Sequence, residues 1–150
     1  MSQLLSSVVS CLKTCSCKTR TLSLALGLFL GLWTSAQATP QLRCEVTYAG
    51  TTHILTAQPV SDPYSVQAVD IGGRFFFKVV MVGRAAKLDH VLIYVHFNQE
   101  PRPVIVQESK YLPPFRISNK PYVLTGEQHV YAGPIERELI YRCWLEGVQP

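Results

Sequence analysis

No acidic residue occurs before Glu45 in this 150-residue chain, although 10 Asp and Glu follow. Charge is sparse throughout, at 16% of residues, against about 25% in average usage. With 47% apolar residues, so low a charge excludes a disordered chain. The formal charge of +4 rests mostly on Lys13, Lys18 and Arg20; without them 11 bases face 10 acids. Those 11 bases are scattered from Arg43 to Arg142 and form no stripe, so the footprint of a nucleic-acid binder is absent.

Motifs are missing too. There is no Gly-x-Ser-x-Gly elbow, phosphate-binding loop, His-Glu-x-x-His or dinucleotide fingerprint. Ser109 and Ser118 sit in a proline-rich segment with no cue for a base beside them. No cofactor is therefore expected. The chain also lacks an Asn-x-Ser/Thr acceptor, an internal repeat and a sustained helical period. A length of 150 residues accommodates one domain and no second full core.

What is present begins with a leader. Lys13, Lys18 and Arg20 form a basic flank before the apolar run from Leu22 to Trp33, and Ala36-Gln37-Ala38 supplies small residues at the positions a signal peptidase reads. The run is shorter than the roughly 20 residues a transmembrane helix needs. Residues 1–38 thus read as a helical signal peptide, cleaved between Ala38 and Thr39, with an uncleaved anchor as the rival. The expected destination is periplasmic or extracellular, with no stable membrane span after cleavage. No Arg-Arg pair supports the twin-arginine route.

Three of the five cysteines, Cys11, Cys15 and Cys17, fall in that leader, before the apolar run. No second ligand pair with zinc-site spacing follows them, so they read as incidental thiols. Cys44 and Cys143 remain. In an oxidising compartment two cysteines favour a bridge, and neither lies in a Cys-x-x-Cys redox motif. A loop of about 100 residues closed this way is worth about 4–5 kcal/mol in the chain-entropy treatment.

From Leu42 onward, apolar and polar residues alternate with period two. Strands are predicted over about 42–48 and 52–57, with Ala49-Gly50 as the hairpin turn. Phe75 to Val82 is apolar on both parities, as in a central strand covered on two sides. Asp89 to Phe97 alternates again, and Val104 to Gln107 reads as a short edge strand. Lys110 to Pro121 shows no pattern. Tyr122–Leu124 and Gln128–Tyr131 read as separate strands, and Ile135 to Leu145 as the last. Cys44 shares a face with Val46 and Tyr48, and Cys143 with Leu139, Tyr141 and Leu145, so both cysteines point inward. Seven to eight short strands in residues 39–150 predict one antiparallel β-sandwich, immunoglobulin-like or a small barrel. The Cys…Trp…Cys order of antibody domains is absent, because Trp144 follows the second cysteine.

Candidate sites are few. His53, His90, His96 and His129 are too far apart for two ligands on one strand, since even His90 and His96 lie about 20 Å from each other along an extended chain. Glu136 and Glu138 would share a face of the last strand, where charge pairing with Arg142 is simpler than acid–base chemistry. The apolar surplus at Phe76, Val80, Val82, Leu92, Tyr94, Ile140 and Trp144 marks either core or a patch for a partner. Trp144 near the chain end, with Tyr111 and Phe115 around Pro113-Pro114, are the expected partner contacts. The sequence therefore predicts an exported, non-catalytic binding or structural module, whose partner is another protein and whose oligomeric state is open. The alternative is a small exported hydrolase or metal-binding protein with a site assembled across strands from His and Glu.

Overall fold

A computed structural model describes residues 39–84 and 87–149; the leader reading, Ala38 included, lies outside the described residues. Within them run nine strands: β1 (Gln41–Tyr48), β2 (Thr51–Ala57), β3 (Pro59–Val60), β4 (Val69–Ile71), β5 (Phe75–Arg84), β6 (Lys87–Phe97), β7 (Val104–Tyr111), β8 (Tyr122–Ala132) and β9 (Arg137–Glu146). A 3-10 turn occupies Pro63–Ser65. The strands form a four-stranded sheet of order β2-β1-β9-β8 and a five-stranded sheet of order β3-β5-β6-β7, with β4 also on β5. All pairings are antiparallel except β3 with β5, where Pro59 and Val60 run parallel to Met81 and Val82.

Alternation explains the core. Leu42, Cys44 and Val46 of β1 meet Leu139, Tyr141, Cys143 and Leu145 of β9 on the inner side of the first sheet, all buried. The second sheet contributes Phe75, Phe77 and Met81 from β5 and Val91, Ile93, Val95 and Phe97 from β6. Rings lock the layers edge to face, Phe77 on Tyr141 at 5.1 Å and Tyr48 on Phe75 at 5.3 Å between centroids. Burying each large apolar side chain is worth about 1.5–3 kcal/mol, so this two-sided parity outweighs any local preference.

The Cys44–Cys143 disulfide forms as parity demands. The two residues stand directly opposite on β1 and β9, with Cα atoms 4.1 Å apart and 99 residues between them in sequence. It lies within one sheet, whereas the antibody bridge joins two. The chain leaves the first sheet after β2, builds the whole second sheet, and returns as β8 and β9. The bridge therefore ties the two ends of that excursion.

Local chemistry corrects several strand limits. Ala49 and Gly50 both take positive φ, 49° and 79°, and make the tight two-residue turn expected between β1 and β2. Tyr122–Leu124 and Gln128–Tyr131 belong to one strand, β8, whose pairing with β9 slips between Val123 and Glu127. At the slip the Cys143 N–H donates to Thr125 Oγ1 at 3.0 Å, so a hydroxyl fills the missing ladder bond. The edge strand β7 runs on to Tyr111, beyond the expected Gln107, because a register shift opposite Val95 and His96 interrupts its alternation. Glu136 sits in the β8–β9 turn at φ 46°, outside β9, so it shares no strand face with Glu138.

Cys143→Ser is expected to lower unfolding stability by about 2–5 kcal/mol in urea melts. Cys44 is only 1% exposed, so its freed thiol should react with a thiol reagent only as the variant unfolds. Two free thiols in the denatured, unreduced native protein would contradict the bridge.

Candidate functional site

The face of the second sheet that turns away from the core should be polar in a half-solvated antiparallel sheet, but here apolar and polar side chains are mixed. Three cross-strand rows lie there: Val80, Leu92 and Lys110; Lys78, Tyr94 and Glu108; Phe76, His96 and Ile105. The apolar residues of β5 and β6 on this parity meet no second sheet, and Phe76, Val82, Leu92 and Tyr94 are half-buried. Val80 is 1% exposed yet stands apart from the core between the sheets. Its cover is the excursion between β3 and β4.

That excursion is shaped by Asp62-Pro63-Tyr64. The Asp62 carboxylate accepts the Tyr64 N–H at 2.9 Å and its carbonyl accepts the Ser65 hydroxyl at 2.8 Å, while Pro63 presets φ for the 3-10 turn. Pro63 and Tyr64 thereby become one wall of a groove of about 370 Å³, lined also by Lys78, Val80, Leu92, Tyr94, His96 and Ile105. Tyr64 is 88% exposed and Ile105 is 56% exposed, an unusual position for two large side chains that face each other's hollow. A second hollow of about 330 Å³ continues past His96, lined by Gln67, Ala68, Phe76 and Pro103.

The groove's polar groups are sparse and pointed. Tyr94 and His96 lie side by side with ring centroids 6.2 Å apart. Partial burial, then the Glu108 carboxylate, push the Tyr94 phenol above its usual range. His96 Nδ1 is buried and has no hydrogen-bond partner, a deficit that costs about 1–3 kcal/mol unless something fills it. Lys78 lines the same groove, and among the described residues no carboxylate stands within 4.0 Å of it.

The outer face of the first sheet is built differently. Trp144 is half-buried there, with the Arg43 and Arg142 guanidinium groups at 5.5 and 5.8 Å from its ring. Arg43 pairs with Glu45 at 2.6 Å and Arg142 with Glu127 at 3.1 Å. His129 sits between two carboxylates, Nδ1 at 2.7 Å from Glu138 and Nε2 at 3.4 Å from Glu127, and the Tyr131 hydroxyl donates to Glu138 at 2.6 Å. The Glu138 hydrogen bond, followed by Glu127, raises the His129 pKa; Tyr131 and then His129 lower that of Glu138. Arg43, Arg142 and His129 each have a carboxylate beside them, while Glu146 of the same parity has no cation within 4.0 Å among the described residues. Paired charges of this kind are the arrangement of a solvated sheet surface.

The three residues expected as partner contacts are not brought together. Tyr111 and Phe115 pack against the core cluster, and Trp144 faces outward between its two arginines. His53 is on β2, His90 and His96 on β6, and His129 on β8. Among the described residues no three His, Cys, Asp or Glu side chains are placed to share a metal ion, and no helix is long and apolar enough to cross a membrane. Sequence reasoning marked the surplus at Phe76, Val80, Leu92 and Tyr94 and weighed His96 only as a metal ligand, but missed Lys78 and the Tyr64 wall. The Asp62-Pro63 pair signals a turn there but not that it folds back over β5. Comparison of the chain with protein-family models, curated proteins and solved structures finds no match.

The signs of the pKa shifts set a pH window. A raised His129 adds stability that is complete below its ordinary 6.5 and lost as pH climbs through the folded value; a lowered Glu138 adds stability complete above 4.5 and lost as pH falls. Both ions are exposed, so the contribution is small and salt-sensitive. NMR titration of the His129 ring should give a midpoint above 6.5, moved down in Glu138→Gln. A midpoint indifferent to that substitution would refute the pairing.

Proposed function

We propose that the protein is an exported binding module that recognises its ligand or partner through the outer face of the five-stranded sheet. One observation carries the reading: the groove under Tyr64 is walled by apolar side chains on the face opposite the core. The inner parity already fills the space between the sheets, and on the outer face Val80 is fully buried while Tyr64 and Ile105 stay exposed. An exposed apolar patch retained beside a preformed hollow of this size is the ordinary form of a binding site. Tyr64 and Tyr94 supply rigid amphipathic rings, which lose little conformational freedom on contact. Tyr111 and Phe115 are occupied in packing, so recognition moves from the proline loop to this sheet. Trp144 stays a secondary contact candidate.

Export rests on the leader pattern and on the disulfide, which suits an oxidising compartment. Pro40 is buried, and the Thr39 carbonyl lies so close to Gly147 that a Cβ there would stand 2.8 Å from it. Thr39 and Pro40, the residues after the proposed cleavage bond, are therefore part of the packed domain. The hydrolase or metal reading gains nothing comparable: the one histidine bonded to carboxylates has both ring nitrogens engaged on an open surface.

Intact-mass measurement on protein exported by living cells should give a chain starting at Thr39. Full-length chain recovered in the membrane fraction would contradict export by cleavage. The binding face is tested by amide chemical shifts during a screen of small neutral, anionic and cationic compounds. Perturbations should cluster at Tyr64, Lys78, Leu92, Tyr94 and His96. Clustering around Trp144, or no clustering, would overturn the assignment.

A further inference from the structure

The outer faces of the two sheets differ in how their charges are settled. On the first sheet the cations Arg43 and Arg142 are held by Glu45 and Glu127, so neither is left over for an anionic ligand. On the second sheet Lys78 is not within 4.0 Å of any described carboxylate, although it lines a hollow whose other walls include Val80, Leu92 and Ile105. An ammonium group among apolar walls loses part of its hydration and gains most from an anion that brings its own apolar body.

Resting on the reading of this face as the binding surface, we propose that the groove takes a small carboxylate with an apolar body, such as an aryl or branched-alkyl acid. Its carboxylate pairs with Lys78, its body lies against Val80, Leu92 and Tyr94, and Tyr64 closes over it. The volume of about 370 Å³ lies at the small end of ligand sites, which suits a ligand of this class. The His96 ring lines the same groove and so reports on its occupation.

The neighbouring charges set the ligand's direction. Lys110 stands in the row of Val80 and Leu92, and Glu108 in the row of Lys78 and Tyr94. Neighbouring strands are about 4.8 Å apart, so Glu108 lies one strand beyond Tyr94 and two from Lys78. Repulsion from Glu108 keeps the carboxylate on the β5 side of Tyr94, where Lys78 is. A cationic ligand would meet Lys78 and Lys110 with only Glu108 to offset them. The anion is the better fit.

The test uses phenylacetate, its neutral isostere phenylacetamide, phenethylamine and acetate, each titrated into 15N-labelled protein. Phenylacetate should shift the amides of Lys78, Leu92 and Tyr94 and the His96 ring, at least ten-fold tighter than phenylacetamide, with acetate silent. Lys78→Met should weaken phenylacetate at least ten-fold and leave both phenylacetamide binding and the melting temperature unchanged. If phenylacetamide or phenethylamine occupies the groove as tightly as phenylacetate, or if Lys78→Met binds phenylacetate as the parent does, the carboxylate inference falls while the binding face stands. If no probe perturbs this face, both fall.

Discussion

The pairing of β1 with β9 is the constraint on which the rest of the molecule depends. These strands sit at the centre of the first sheet, so β2 and β8 each hang on one of them. Their register runs from Gln41 opposite Glu146 to Tyr48 opposite Leu139, with the disulfide between Cys44 and Cys143 inside it. Arg137 adds a hydrogen bond of 3.0 Å to the Tyr48 hydroxyl at the far end. Contacts between residues so distant in sequence carry a large loop-closure cost. The covalent bridge removes most of that cost from the folded side of the balance by imposing it on the unfolded chain as well. The second sheet then packs onto a platform already set, through Phe77 on Tyr141 and Phe75 on Tyr48.

That platform buries only one face of the second sheet, and this asymmetry makes the groove possible. β5 is apolar on both parities, yet only Phe75, Phe77, Val79 and Met81 face the platform or pack beside it. The opposite parity is served by a short piece of chain, Pro63 to Ser65, which covers Val80 and leaves Tyr64 and Ile105 in water. A full covering layer would have consumed the surface. A partial one leaves a hollow with a lysine in its wall. The first sheet solves the same problem with ion pairs, where Glu127 and Glu138 bracket His129 and two arginines flank Trp144.

The sequence carried the inner face almost whole, because burial there follows a strict period of two. Parity alone placed Cys44 and Cys143 inward, and the structure buries both and sets them opposite each other. It carried strand limits poorly wherever tertiary contacts break the period. The shift between Val95 and His96 hid the second half of β7, and the slip at Thr125-Gly126 split β8 in two. The surplus at Phe76, Val80, Leu92 and Tyr94 was visible, but not its fate, since alternation cannot say whether a second layer arrives. The Tyr64 wall depends on a turn folding back over a strand that follows it in the chain, which no local signal specifies. For the same reason Tyr111 and Phe115 were read as a contact tip, when the β7 register and the proline segment turn them toward the core.

The central claim is that the exposed apolar side chains of this groove, Tyr64 and Ile105, serve binding and not folding. Urea unfolding of a Tyr64→Ser, Ile105→Thr double variant tests it most directly, because both side chains are more than half exposed and both line the groove. The account predicts a stability change of no more than about 0.5 kcal/mol per site, the range of ordinary surface substitutions, together with loss of ligand-induced shifts on this face. A loss of about 3 kcal/mol or more, the size of a core truncation, would show that these residues hold the fold together and would contradict the claim.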